Sequence, residues 1–198
     1  EIEEGINGHR YVGTMTTQHG IKSGRGSKTK NAVDLTKMVM NLIQDVQALY
    51  PHGIAPTMAF HPDVESATVR KVREKLQAQG IKVTNTEGHY SKGNAVAERT
   101  NRSAREFQRS LTLGAVGRRK LYPELSAEAI IHGLYVRNFL PESGSNSPYV
   151  KAGNPEQDVN EISSIFGSEC WVKEQEERRM GKQDTPNRLA VYLGESRD

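Results

Sequence analysis

The 198-residue sequence contains a single cysteine. Cys170 has no partner within the chain, which excludes a disulfide-stapled scaffold and a Cys-rich zinc site and points to a reducing compartment. Aromatic residues are sparse, 6% with one Trp, and hydrophobic residues reach only 35%. No apolar run approaches the roughly 18 to 20 residues that a membrane helix needs, so the pattern predicts a chain with no membrane partner. A basic-then-apolar leader is missing as well. With Glu1 at the start rather than Met, the sequence reads as an internal cut from a longer polypeptide, with residues missing upstream. The hydrophobic content still suffices for one ordinary domain with a small appendage.

Charge is plentiful, 26% of residues with a net value of +3, and it is unevenly spread. Residues 61–121 hold 13 Lys+Arg against 6 Asp+Glu, whereas residues 122–198 hold 8 against 13. A basic block of this kind is either a solvated surface or a footprint for an anionic partner, and its position in the fold decides between them.

Local patterns give the order of elements. His9 to Thr16 is rich in β-branched and aromatic residues, and a Gly-rich stretch from Gly20 to Gly26 follows; two strands are expected. Between Asn31 and Tyr50, Leu35, Met38, Val39, Leu42, Val46 and Leu49 recur at steps of three and four, one stripe of an amphipathic helix that Pro51 stops. Thr57 to His61 suits a buried strand with Asp63 at its carboxyl end. Asp63 to Gln79 is a helix closed by Gly80. Ile81 to Thr84 is a further strand, Thr86 to Gly93 a loop, and Asn94 to Leu113 a long helix. Another helix runs from Ser126 to Leu140. Ser143 to Pro148 reads as a linker, after which Phe166 to Lys173 and Leu189 to Leu193 form a small β unit. The order predicts a layered α/β domain over 1–142 with an extension over 143–198.

Two carboxylates stand out. In an open sheet flanked by helices, ligands gather at the carboxyl ends of strands, which is where Asp63 falls. At about 100° per residue, Ala97, Ala104, Phe107 and Leu111 take one side of the long helix. Asn94, Glu98, Arg102, Arg105 and Arg109 take the other, with Arg99 at its edge. A surface ion pair between Glu98 and Arg102 on an ordinary solvated face is the alternative reading.

The words around these residues carry a resemblance. Ala59-Phe-His-Pro-Asp63-Val-Glu-Ser resembles the strand that ends in the second catalytic Asp of retrotransposon integrases. Asn94-Ala-Val-Ala-Glu98-Arg-Thr-Asn-Arg resembles the motif that carries their third acidic residue. Downstream, Glu128-Ala-Ile-Ile-His-Gly-Leu-Tyr-Val-Arg-Asn-Phe-Leu-Pro141, Ser147-Pro-Tyr149, Phe166-Gly167 and Val191-Tyr-Leu-Gly194 follow in the order found in copia-type integrases. The resemblance implies a ribonuclease-H-like mixed sheet flanked by helices, with the opening strand missing and a small C-terminal β extension. It implies DNA strand transfer in which Asp63 and Glu98 are catalytic and bind Mg²⁺ or Mn²⁺ in a two-metal site. Such a site stabilises the attacking and leaving oxygens of phosphodiester transfer, and oxygen-only ligands suit these hard cations.

The same resemblance gives Lys92, Asn94, Arg99, Arg102, Arg105 and Arg109 a DNA-binding role, with Arg118, Arg119 and Lys120 as a possible extension. It implies retroelement ends and target DNA as partners, a homo-oligomer, a nuclear location and no small-molecule cofactor. The family's first catalytic Asp would precede Glu1, so the fragment as cut is expected to be inactive. Ala95 stands where the motif has Gly, and Asp63 is followed by Val64 and Glu65 rather than Asn-Gly. Glu65 reads as a helix N-terminal carboxylate or as a counterpart of the family's following Glu. His61 lies near Asp63, while His89 and Tyr90 fall in the loop. No His/Cys quartet for a zinc module is present. A rival reading from another class is a DNA-binding or structural remnant that performs no chemistry; a different nuclease of the same superfamily is a third.

Overall fold

The computed structural model describes residues 7–51, 59–60, 66–78, 80–83, 95–114, 123–141, 144–158, 166–173 and 187–194. Strands β1 (Tyr11–Thr16) and β2 (Lys22–Ser27) form an antiparallel hairpin with Tyr11 opposite Ser27. The Gly-rich stretch is thus a strand despite its poor β-propensity. Its glycines serve close approach: a Cβ on Gly24 would meet Leu134 Cδ1 at 3.0 Å, so the bare backbone lets a helix settle directly on the hairpin.

Helix α1 (Ala32–Ala48) starts where the Asn31 side chain accepts from the Asp34 N–H at 2.8 Å, and it buries Thr36, Leu42, Ile43 and Val46. Strand β3 (Ala59–Phe60), helix α2 (Ser66–Ala78) and strand β4 (Lys82–Val83) make a parallel pair joined through the helix. Helix α3 (Ala95–Gly114) is followed by a 3₁₀ turn (Pro123–Leu125) and helix α4 (Ser126–Arg137). A short helix α5 (Pro148–Lys151) precedes the antiparallel ribbon of β5 (Glu169–Lys173) and β6 (Asn187–Val191).

Because side chains alternate along a strand, β1 serves two helical layers. Met15 joins Ile43, Val72, Leu76, Ile81 and Val83 in a cluster under α1 and α2. Val12 points the other way, to Ala104, Ile130 and Leu134 of α3 and α4. The hairpin is also locked to α1 by charge. Arg25 donates to both Asp45 oxygens at 2.7 and 2.6 Å, and Ser23 donates to the same carboxylate at 3.0 Å.

Two expected boundaries are corrected, and the mixed sheet is found only in part: among the described residues β1 pairs with β2, β3 with β4 and β5 with β6, in three two-stranded sheets. β3 and β4 pair with each other over two residues, β1 carries β2 along one edge, and no described strand bridges the two pairs. Helix α4 stops at Arg137 rather than Leu140. The fully buried Asn138 is engaged elsewhere: its side chain accepts from the Lys22 N–H at 2.7 Å and donates to the Lys22 C=O at 2.8 Å, replacing a strand partner at the start of β2. Finally, the second half of the expected linker is a helix start. Ser147 accepts from the Val150 N–H at 3.3 Å, Pro148 is buried in the first turn of α5, and the Tyr149 ring packs tilted against Phe139 with centroids 4.7 Å apart.

Segments beyond residue 142 pack on the layers before it. Asn154 donates to the Leu49 carbonyl at 2.7 Å, and Phe166 and Leu193 share a cluster with Leu111, Leu125 and Ala129. None of the described helices is long and apolar enough to cross a membrane.

The α3–α4 contact sets the position of everything on the outer side of α3. A Cβ on Gly133 would lie 2.7 Å from Phe107 Cβ and 2.9 Å from its Cγ, so the helices meet where one of them has no side chain. Leu at position 133 is expected to destabilise the fold by about 1–3 kcal/mol through overpacking, measured as a lowered midpoint in urea unfolding. An unchanged midpoint would show that α3 yields freely.

Candidate nucleic-acid interface

Helix α3 divides cleanly into two faces. Thr100 and Ala104 are buried, 3% and 4% exposed, with Phe107 half-buried beside them. Thr100 is a polar residue on that inner side, and its hydroxyl donates to the Val96 carbonyl at 2.9 Å and meets the Thr16 hydroxyl at 2.6 Å. With the Thr100 proton committed to Val96, Thr16 is the donor between the two hydroxyls. This fixes the helix against β1 both along and around its axis.

On the outer side, Glu98, Asn101, Arg102, Arg105, Glu106 and Arg109 line one open groove of about 470 Å³. Three guanidiniums face two carboxylates there, yet among the described residues none of the five lies within ion-pair distance of an opposite charge. The surface ion pair between Glu98 and Arg102 that offered the ordinary reading of this helix is thus not formed. Three guanidiniums on consecutive turns against two carboxylates leave the groove with a net positive charge, a sign suited to an anionic polymer.

Among the residues assigned from sequence, the structure brings Glu98, Arg102, Arg105 and Arg109 into this groove. Arg99 is exposed but outside the lining; its Nε donates back to the Ala95 carbonyl at 3.2 Å. Asp63, Lys92 and Asn94 lie outside the described residues, as do His61, Glu65, His89, Tyr90, Arg118, Arg119 and Lys120. Asn101 and Glu106 belong to the groove and were not assigned. Helical spacing could have found them, since they flank the Glu98–Arg105–Arg109 stripe at its two edges.

Among the described residues no group of three or more His, Cys, Asp or Glu is arranged to hold a metal ion. Glu98 supplies one hard oxygen donor of the kind Mg²⁺ or Mn²⁺ takes. Glu106 is two turns further on, about 12 Å along the axis, too far to share an ion with it.

Solved structures resemble this fold. The catalytic core domain of BIV integrase matches over 70% of this chain and 82% of its own, with a TM-score of 0.50 at 17% identity. The fold resembles that of an integrase catalytic core. A chain of the simian T-cell lymphotropic virus intasome, solved with PP2A regulatory subunit B56 gamma, matches over 96% of this chain with a TM-score of 0.58 at 13% identity. This chain spans 66% of the length of that one. No family model matches the sequence, and no curated protein matches it. At these identities the likeness to integrases lies in the fold, and residue roles must be argued from this chain's own groove.

Proposed function

We propose that this chain is the core of a copia-type retroelement integrase, acting in metal-dependent transfer of element DNA ends into target DNA. The observation that carries the reading is the outer face of α3, where Glu98 stands in line with Arg102, Arg105 and Arg109, none of them ion-paired among the described residues. The integrase-core fold and the sequence words around Asp63 and Glu98 support it. In this reading the guanidiniums hold the phosphate backbone without reading bases, and Lys92, Asn94 and Arg99 extend the contact at the helix start. Asp63 and Glu98 would hold divalent cations, which supply charge stabilisation at the attacking and leaving oxygens when bound. Residues 1–142 form the core and 143–198 the extension. A homo-oligomer acting in the nucleus completes the proposal.

Titration of the chain onto a fluorescent DNA duplex at increasing KCl tests the binding part. The logarithm of the affinity is expected to fall linearly with the logarithm of salt, with a slope of about −3 from the three groove arginines and steeper by about 0.9 for each further phosphate that Lys92 or Arg99 neutralises. The affinity should differ little between unrelated duplex sequences. No binding at low salt, or binding insensitive to salt, would remove the basis of the reading.

A further inference from the structure

We infer that Asn101 is a preset hydrogen-bond donor to a backbone phosphate in the α3 groove and that Thr14 of β1 is the residue that sets it; this rests on the nucleic-acid reading above. Polar contacts from Thr16 and from Thr14 join β1 to α3. The first, Thr16 to Thr100, is closed internally, because the Thr100 hydroxyl passes its proton on to the Val96 carbonyl. The second ends in the groove. Thr14 Oγ1 donates to Asn101 Oδ1 at 3.1 Å, and Asn101 is one of the groove-lining residues.

The consequence follows from the geometry of a carboxamide. Its oxygen and nitrogen leave Cγ in different directions, so an oxygen held toward β1 turns the NH₂ away from the strand. On the helix, Asn101 sits on the β1 edge of the stripe, one turn after Glu98 and one turn before Arg105. The donor therefore faces the space that these two residues border.

Thr14 itself is held in the hairpin opposite Gly24, so the amide is set by a strand rather than by a mobile loop. Long arginine side chains supply charge but not a fixed position. A neutral donor held in place loses little freedom on binding and fixes where along the strip a phosphate comes to rest. Asn101 thus acts as the register contact, and Thr14 is a positioning residue that never touches the nucleic acid.

The full chain and a fluorescent DNA duplex provide the test. Thr14→Val keeps the side-chain shape and removes the hydroxyl; affinity is expected to fall about three- to tenfold, the loss typical of one hydrogen bond, with an unchanged salt slope and an unchanged unfolding midpoint. Thr14→Ser should restore binding to within about twofold. Asn101→Leu, at an exposed position, should show the same loss, and the double variant should lose no more than either single one. Wild-type affinity in Thr14→Val or Asn101→Leu overturns the inference, as do losses that add in the double variant or a defect that Thr14→Ser shares. If these variants bind normally while arginine variants weaken binding, this inference alone falls. If the unaltered chain binds no DNA, the broader reading falls and takes this one with it.

Discussion

Glu98→Gln, or Asp63→Asn, is expected to lower Mn²⁺-dependent strand transfer by about three orders of magnitude while leaving DNA affinity unchanged or slightly tighter. Both substitutions keep the size of the side chain and remove the anionic oxygen that a hard cation requires. Charge stabilisation by bound metal contributes several kcal/mol to such a reaction, and about 4 kcal/mol corresponds to a thousandfold in rate. Binding should not suffer, because Glu98 lines the same groove as Arg102, Arg105 and Arg109 and its charge opposes a phosphate there. The assay is joining of a labelled DNA end to a target duplex, in a polypeptide that carries a third acidic residue. Transfer retained by Glu98→Gln would refute the assignment. No transfer by the unsubstituted polypeptide, with DNA binding intact, would favour the remnant that keeps the fold and performs no chemistry.

The triple replacement of Arg102, Arg105 and Arg109 by Ala should weaken duplex binding about a hundredfold and make the salt dependence shallower by about 2.7 in log–log slope, 0.9 for each phosphate released. The loss should be the same for every duplex sequence, since backbone contacts carry no sequence information. The three side chains are exposed and make no ion pair among the described residues, so stability should stay within about 0.5 kcal/mol of the parent. An unchanged slope would mean that these arginines are a solvated face and that nucleic acid, if bound, lies elsewhere.

What could be read from the sequence depended on whether the decisive interaction was local. The expected helix over Asn31 to Tyr50 is found as Ala32–Ala48 because its start is signalled by the Asn31 cap and its end by Pro51. The long helix from Asn94 to Leu113 is found as Ala95–Gly114, and its two faces follow from 3.6-residue periodicity alone. Where the chain's choice is made by a distant partner, local pattern misleads. Nothing near Asn138 announces that its amide will serve Lys22, 116 positions away, and so the end of α4 was placed too late. Ser147 and Pro148 carry the letters of a linker and equally those of a helix start; the burial of Pro148 decides it. The six strands and the separate unit of β5 and β6 follow from local pattern, whereas the pairing of β3 with β4 joins residues 23 positions apart and has no local signal. Within the groove, Glu98 and the arginines were legible from one helix. The role of Asn101 needed the strand beside it.

The inner and outer stripes of α3 have no residue in common. Thr100, Ala104 and Phe107 answer to β1 and α4, whereas Arg102, Arg105 and Arg109 make no ion pair among the described residues and face solvent. The Thr14 contact to Asn101 ties the two together, so an arginine can be exchanged without touching the scaffold, whereas a change in β1 reaches the groove.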